Sequence, residues 1–433
     1  MPMLNFLSNK RTLVLFFMSW MFTLGSSAQT SSLWLLNQDT TWRDNYLMFS
    51  INGSADWGSN VLERGWMNTM VNGGHLSSTR NRSYVDKMEQ INRFGANAHA
   101  SFDVLSFNDS LFGKQNLGLK LGVSSVYSLS TGFDKNLFEL TFLGNSQMLG
   151  DTVELGPFYG DFQIFQKYGV GVFDKRNLSF VQLSYVSGQE MQQVRIDRAR
   201  MFTSASGDEI QLDYTGEYYA ADTSKSGLGQ TKGLGLCIDG DFNLPLENNK
   251  GIVSLSVRNL GFIKWSSRAD NYFVDSSFVW NGLNIDDVIG LSENGFEMPS
   301  LKDTLGIKGN KEQKVLALPT SFHFRMLRKL NGRKSYEAGL MVMPGRTSLP
   351  FIYGGFNHYV APGLLLTERV TFGGFGNLNM GIEAQWLLNN RLYLRAGSNQ
   401  LLGFLSPNSR GMNGFFGLSF FVKRSESIIE SEK

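Results

Sequence analysis

In residues 378–388, Leu378, Met380, Ile382, Ala384, Trp386 and Leu388 alternate with Asn379, Gly381, Glu383 and Gln385. A β-strand turns successive side chains to opposite faces, so such a run has one apolar and one polar face. It is also longer than the roughly five or six residues usual for a strand in a soluble sheet. The pattern recurs in Leu117, Leu119, Leu121 and Val123 against Gly118, Lys120, Gly122 and Ser124. It returns in Val181, Leu183 and Tyr185, in Leu234, Leu236 and Ile238, and in Val253, Leu255 and Val257 against Ser254, Ser256 and Arg258. Further on, Phe322, Phe324 and Met326 oppose Ser321, His323 and Arg325, and Leu392, Leu394 and Ala396 oppose Arg391, Tyr393 and Arg395; Phe416, Leu418, Phe420 and Val422 oppose Gly417 and Ser419. Charged residues in mid-strand need water on their face, which a soluble sandwich and the wet lumen of a membrane barrel both supply.

Three observations favour the barrel. Tyr127, Trp265, Trp280, Tyr353, Tyr359 and Trp386 fall near strand ends, where aromatic girdles meet the membrane interfaces. Asn389-Asn390 between two long runs fits a tight periplasmic hairpin. The last run ends at Val422, leaving only the charged tail 423–433. Composition agrees: with 47 Gly and 13% aromatic residues but only 18% charged, the chain is rich in turns and strands and poorer in charge than the soluble average of about 25%. Between 12 and 18 alternating runs can be counted from Tyr46 to Val422. Bacterial barrels take even numbers of strands of about 9–11 residues, so the expectation is an all-β, transmembrane antiparallel barrel of about 14 strands within residues 29–422.

Residues 1–28 read as a cleaved secretory signal: Lys10 and Arg11 close a basic region, residues 12–24 are apolar, and Ser26 and Ala28 precede the cleavage point. Thirteen apolar residues fall short of the roughly 20 a spanning helix needs, and no later run reaches that length. The destination is the outer membrane, in contact with its lipid. The remaining chain carries 38 basic and 38 acidic side chains, which gives no nucleic-acid footprint. A single cysteine, Cys237, excludes a disulfide framework and Cys-based metal sites.

Two stretches break the pattern. Residues 61–88, with Gly73-Gly74, are expected as an extracellular loop or a segment folded into the lumen. Residues 266–318 contain two helix-compatible pieces, Ile285-Asp286-Asp287-Val288-Ile289 and Leu301-Lys302-Asp303-Thr304-Leu305. So long a connection is expected to fold as a lid, plug or docking element, with Ile285, Asp286, Asp287, Leu301 and Leu305 as its partner-docking candidates.

Catalytic chemistry does not emerge. The four histidines, His75, His99, His323 and His358, have no metal-ligand spacing, and Gly227, Gly229 and Gly233 are misspaced for a dinucleotide loop. Asp239, Asp241 and Asn243 begin like a calcium loop, but Leu244 stands where Gly is required. No enzyme, cofactor or metal site is expected. Parity places Lys120, Arg258, His323, Arg325, Glu383, Arg391 and Arg395 on the lumen face, where charges pair and stiffen the interior or form a selectivity ring. Val126, Phe180 and Tyr393 share that face and leave room for a hydrophobic ligand. The same parity turns Ile382 to lipid, so Ile382→Arg is expected to impair insertion and Glu383→Gln to be tolerated.

The segment Gly233-Leu-Gly-Leu-Cys-Ile-Asp-Gly-Asp241, then Asn259-Leu-Gly-Phe-Ile-Lys-Trp265, then Leu318-Pro-Thr320, resembles a family of outer-membrane barrels of unknown function from Bacteroidota-type bacteria. That family looks related to PorV and FadL-like barrels and to the PorP/SprF group of type IX secretion and gliding. The resemblance spans about Trp34 to Val422. It implies a non-enzymatic structural or accessory barrel that docks envelope protein partners of a secretion or surface-assembly system through residues 266–318 and the extracellular loops. The alternative is a transporter of small hydrophobic or amphipathic ligands.

Overall fold

A computed structural model describes residues 45–107, 110–224, 229–280, 308–389 and 391–423. Its long strands are β1 (Asn45–Ser59), β2 (Ile91–Ser106), β3 (Leu117–Asp134), β4 (Phe158–Asp174), β5 (Phe180–Thr203), β6 (Gly233–Pro245) and β7 (Gly251–Trp265). The series continues with β8 (Ser321–Asn331), β9 (Lys334–Val342), β10 (Leu349–Ala361), β11 (Leu364–Gly374), β12 (Asn379–Leu388), β13 (Leu392–Ser398) and β14 (Gly411–Lys423). Each pairs antiparallel with the next, and β14 returns to β1, with Asn45 opposite Lys423 and Gly58 opposite Gly411. The result is a closed barrel of 14 strands. Closure leaves no wall edge, so the ring's backbone donors and acceptors are paired within it, as hydrocarbon requires.

The alternation reads directly as inside and outside. On β12, Met380, Ile382 and Trp386 are 55%, 37% and 44% exposed, while Glu383 and Gln385 are fully buried. Ile51, Phe102, Val170, Leu183, Leu236, Leu255, Phe324 and Val370 extend the exposed apolar surface around the ring. Soluble monomers rarely expose a continuous apolar belt of this kind, and with the polar side chains turned inward the barrel is inside-out in the sense a membrane demands. Among the described residues no helix is long and apolar enough to cross a membrane.

The start of β1 and the end of β14 lie at one end of the barrel, together with the short turns 175–179, 246–250, 332–333 and 362–363. The opposite, loop end carries the long connections 60–90, 135–157, 204–232 and 266–320. There β5 runs on past the ring and pairs with Ile210–Ala220, which pairs with Asp270–Trp280 and then Lys308–Lys311. The described parts of the 266–318 insertion are therefore strands. Its helix-compatible pieces, and with them Ile285, Asp286, Asp287, Leu301 and Leu305, lie outside the described residues, as do the signal segment 1–28 and the tail beyond Lys423.

Residues 61–88 stay out of the lumen. They form α1 (Arg64–Asn72) and α2 (Ser78–Val85), which with α3 (Lys135–Leu143) bury Trp66, Tyr84 and Phe138 against Phe94 and Phe133. Those two phenylalanines lie on the outward parity of β2 and β3, so the helices cover the rim of the wall. Asp134 ends β3 and caps α3 by accepting the Asn136 N–H at 2.7 Å.

Candidate functional site

The inward residues of β1 run from the termini end as Met48, Ser50, Asn52, Ser54, Asp56 and Gly58, and they mark successive levels of the lumen. At the bottom an apolar floor of Met48, Leu105, Phe107, Phe173, Tyr393 and Phe421 is closed over by the turn residue Leu178. Phe107 and Phe173 meet edge to face at 5.0 Å. Above the floor is a small cavity of about 90 Å³ bordered by Ser50, Asp103, Lys120 and Gln182. Lys120 is ion-paired to Asp103, and its Nζ lies 5.0 Å from the centre of the Phe180 ring.

A polar partition follows. Lys167 Nζ donates to both oxygens of Asp239, at 3.0 and 2.8 Å, and to Asn259 Oδ1 at 2.7 Å. Arg258 Nη2 donates to Asp241 at 2.8 Å. The knot depends on a bulge: between Ile238 and Gly240 the β6–β7 register shifts, Asn259 adopts φ +55, and its N–H is taken up by Asp239 Oδ1 at 2.9 Å. Asparagine tolerates this left-handed backbone better than most residues. His99, Lys167 and Arg258 border the cavities on both sides. The upper cavity, about 220 Å³ toward the loop end, is lined by Asp56, Asn97 and Ser128 and by Phe351, Phe375, Met341 and Met343.

On the opposite wall, five charged side chains form a belt. Arg325 pairs with Glu337, Glu337 with Arg369, Arg369 with Glu383 at 2.6 Å, and Glu383 with Arg395. They come from β8, β9, β11, β12 and β13; the skipped strand, β10, contributes Gly355, which is opposite both Glu337 and Arg369 in register. A Cβ there would fall 2.9 Å from Arg369 Cγ and 3.2 Å from Glu337 Cγ, so only glycine leaves the gap through which the two side chains meet.

The residues singled out from sequence parity thus separate into groups. Lys120 and Arg258 border the cavities; Arg325, Glu383 and Arg395 belong to the belt; His323 Nε2 is 2.9 Å from Tyr353 Oη. Arg391 does not face the lumen: it lies in the turn before β13, exposed, because the strand begins one residue later. Three of the expected girdle aromatics also point inward. Trp265 is fully buried in a cluster with Phe165, Met191 and Cys237, Tyr353 bonds His323, and Tyr359 packs on Ile252, Leu327 and Leu365. Asp56, Lys167, Glu337 and Arg369 were not singled out from the sequence, and Asp239 was met only as the start of an incomplete calcium loop. Tyr336, Ala338 and Leu340 alternate around Glu337, so its parity was there to be read, whereas the charged Glu368 stands at the outward position before Arg369 and breaks the pattern there. Among the described residues no group of three or more His, Cys, Asp or Glu is placed to hold a metal ion.

Compared with solved structures, the fold is similar to the TodX ΔS2S3 mutant monoaromatic hydrocarbon channel, with 8% identity, a TM-score of 0.43, and coverage of 93% of this chain and 97% of that one. It is similar to the toluene transporter TodX of P. putida, with 7% identity, a TM-score of 0.40, and coverage of 92% and 94%. It is also similar to a Pseudomonas aeruginosa FadL homologue, with 9% identity, a TM-score of 0.34, and coverage of 93% and 98%. No curated protein matches the sequence. Residues 47–380, well over half of the chain, match the family of unknown function DUF5723, and the protein belongs to that family.

Proposed function

We propose that this barrel sits in the outer membrane with its termini end toward the periplasm and takes a small amphipathic ligand into the lumen from the loop end. Short turns beside the termini and long connections opposite support that orientation, since outer-membrane barrels keep short turns on the periplasmic side. Export through residues 1–28 completes the picture. The observation that carries the function is the upper cavity, where ring and thioether surfaces meet amide, hydroxyl and carboxylate groups around one concave space. A concave, largely apolar site with a few convergent polar groups is the usual form of a small-molecule pocket, and about 220 Å³ lies just below the usual range of roughly 300–1,000 Å³, which restricts the occupant to a compact molecule. The accessory-docking expectation named residues 285–287, 301 and 305, which lie outside the described part of the chain, whereas the lumen supplies a described cavity that supports the ligand reading.

The test is ligand binding by the purified barrel in detergent, followed with a short alkyl series, and its loss in Ser128→Trp. Ser128 is buried on the lumen face and bonds Asn97 Oδ1 at 2.9 Å, so an indole there fills the cavity. Binding that survives the filled cavity refutes the assignment.

A further inference from the structure

The upper cavity holds a carboxylate without a cation. Asp56 faces it from β1, and its hydrogen bond comes from the neutral Asn97 amide at 3.1 Å. Among the described residues no Lys, Arg or His forms an ion pair with Asp56. The two cations that border the same space are committed elsewhere, Lys167 to Asp239 and Arg258 to Asp241. Arg93, on the same inner face of β2 nearer the loop end, turns away to Gly376 O at 3.4 Å. Every other carboxylate of the lumen column, Asp103, Asp239 and Asp241, has its cation. Asp56 is only partly buried in an open-sided cavity, so its carboxylate keeps lone pairs available to a cation that enters that space.

The same cavity is lined by an aromatic ring. Asp56 is opposite Asn97 in the β1–β2 register, and Gly58 is opposite Gly95 one pleat further up. The Phe375 ring rests on Gly95, where a Cβ would fall 2.3 to 2.4 Å from three ring atoms, and its Cβ and backbone lie over Gly58, where a Cβ would fall 3.3 Å from Phe375 Cβ. The ring is delivered by Gly373 and Gly374, with φ +97 and +66, and a Cβ on Gly373 would meet Pro350 O at 2.0 Å. Four glycines on three strands thus accommodate Phe375 on the wall of the cavity that Asp56 also lines. Met341 and Met343 complete the lining with polarizable sulfur.

A carboxylate, an aromatic face and thioethers around a small space are the recognition chemistry of an organic cation. We infer that the lumen ligand is a small alkylammonium, held by the Asp56 carboxylate and the face of Phe375. The inference rests on the lumen reading above and narrows its ligand from amphipathic to cationic.

The experiment uses the full chain in a maltoside detergent free of choline groups, with hexyltrimethylammonium, hexanoate and hexanol measured by calorimetry. The cation is expected to bind at least tenfold more tightly than either of the others. Asp56→Asn, which keeps the size and an oxygen for Asn97, is expected to lower cation affinity tenfold or more and leave hexanol unchanged; Phe375→Leu is expected to lower it severalfold. Folding of each variant is checked by heat-modifiable gel migration. Equal affinity for all three compounds, or an Asp56→Asn barrel that binds the cation like the parent, overturns the inference. If hexanol or hexanoate alone binds and Ser128→Trp abolishes it, the cation assignment falls and the lumen reading stands. If no compound binds the parent, both fall.

Discussion

Glu383→Gln tests the belt, and the structure reverses what parity alone suggested for this substitution. Glu383 is fully buried and shared: Arg395 Nε donates to its Oε1, Arg369 Nη1 lies 2.6 Å from its Oε2, and Gln385 Nε2 donates to Oε1 at 2.8 Å. The belt has three arginines and two glutamates. Neutralising Glu383 leaves Glu337 shared by Arg325 and Arg369 and strands the buried Arg395 without a carboxylate partner in the belt. At an effective dielectric of about 20, each close pair is worth about 4 kcal/mol before desolvation. Because the arginines stay buried whether or not they are paired, the desolvation is not recovered, and the expected loss is about 3–5 kcal/mol, as for other buried pairs stripped of one partner. The assay is reversible denaturant unfolding of the barrel in detergent, followed by tryptophan fluorescence. Removing both partners in Glu383→Leu with Arg395→Met is expected to recover most of the loss, since no stranded charge remains at that end. A single variant within about 1 kcal/mol of the parent, the value of an exposed pair, would mean that the belt is solvated and refute the reasoning.

Adjacent glycines of β10 give a matched comparison: Gly355→Ala drives a methyl to 2.9 Å from Arg369 Cγ and is expected to cost about 1–3 kcal/mol, while Gly354→Ala meets nothing within 4 Å and is expected to be near neutral in the same unfolding assay. Ile382→Arg places a cation on the lipid face beside Glu383, with an expected cost of about 2–4 kcal/mol near the midplane, read as reduced insertion into vesicles; full insertion would contradict the outward assignment. Phe173→Ala removes a fully buried ring from the floor, so it should destabilise by about 3–5 kcal/mol and raise ion conductance in planar bilayers; unchanged conductance would show that the floor does not close the lumen.

What was legible from the chain was what a period of two determines. The faces of β3, β5, β6, β12 and β14 follow from alternation, and the strand number follows from length and run count. Where the period is interrupted, the sequence misleads or falls silent. Arg391 keeps the parity of Arg395 but stands outside the strand. Asn259 adds a residue to β7, a local backbone event with no composition signal, and it turns Asp239 into a hydrogen-bond acceptor for the wall itself. Asp56 was hidden because its outward neighbours include Gly53 and Ala55, too small to make the alternation visible. Aromatic residues near strand ends suit either face, which is why Trp265, Tyr353 and Tyr359 sit inside. The belt needed register as well as parity, since Glu337 and Arg369 lie on strands that do not touch and meet only across Gly355.

The levels of the lumen also constrain how anything passes through it. A compact molecule in the upper cavity has the Lys167–Asp239 and Arg258–Asp241 pairs beneath it, then the smaller cavity, then the aromatic floor. Parting a buried ion pair without replacing its partner costs about 3–5 kcal/mol, which keeps the opened state to about one molecule in 150 or fewer. Inorganic ions are therefore expected to leak slowly through the resting barrel.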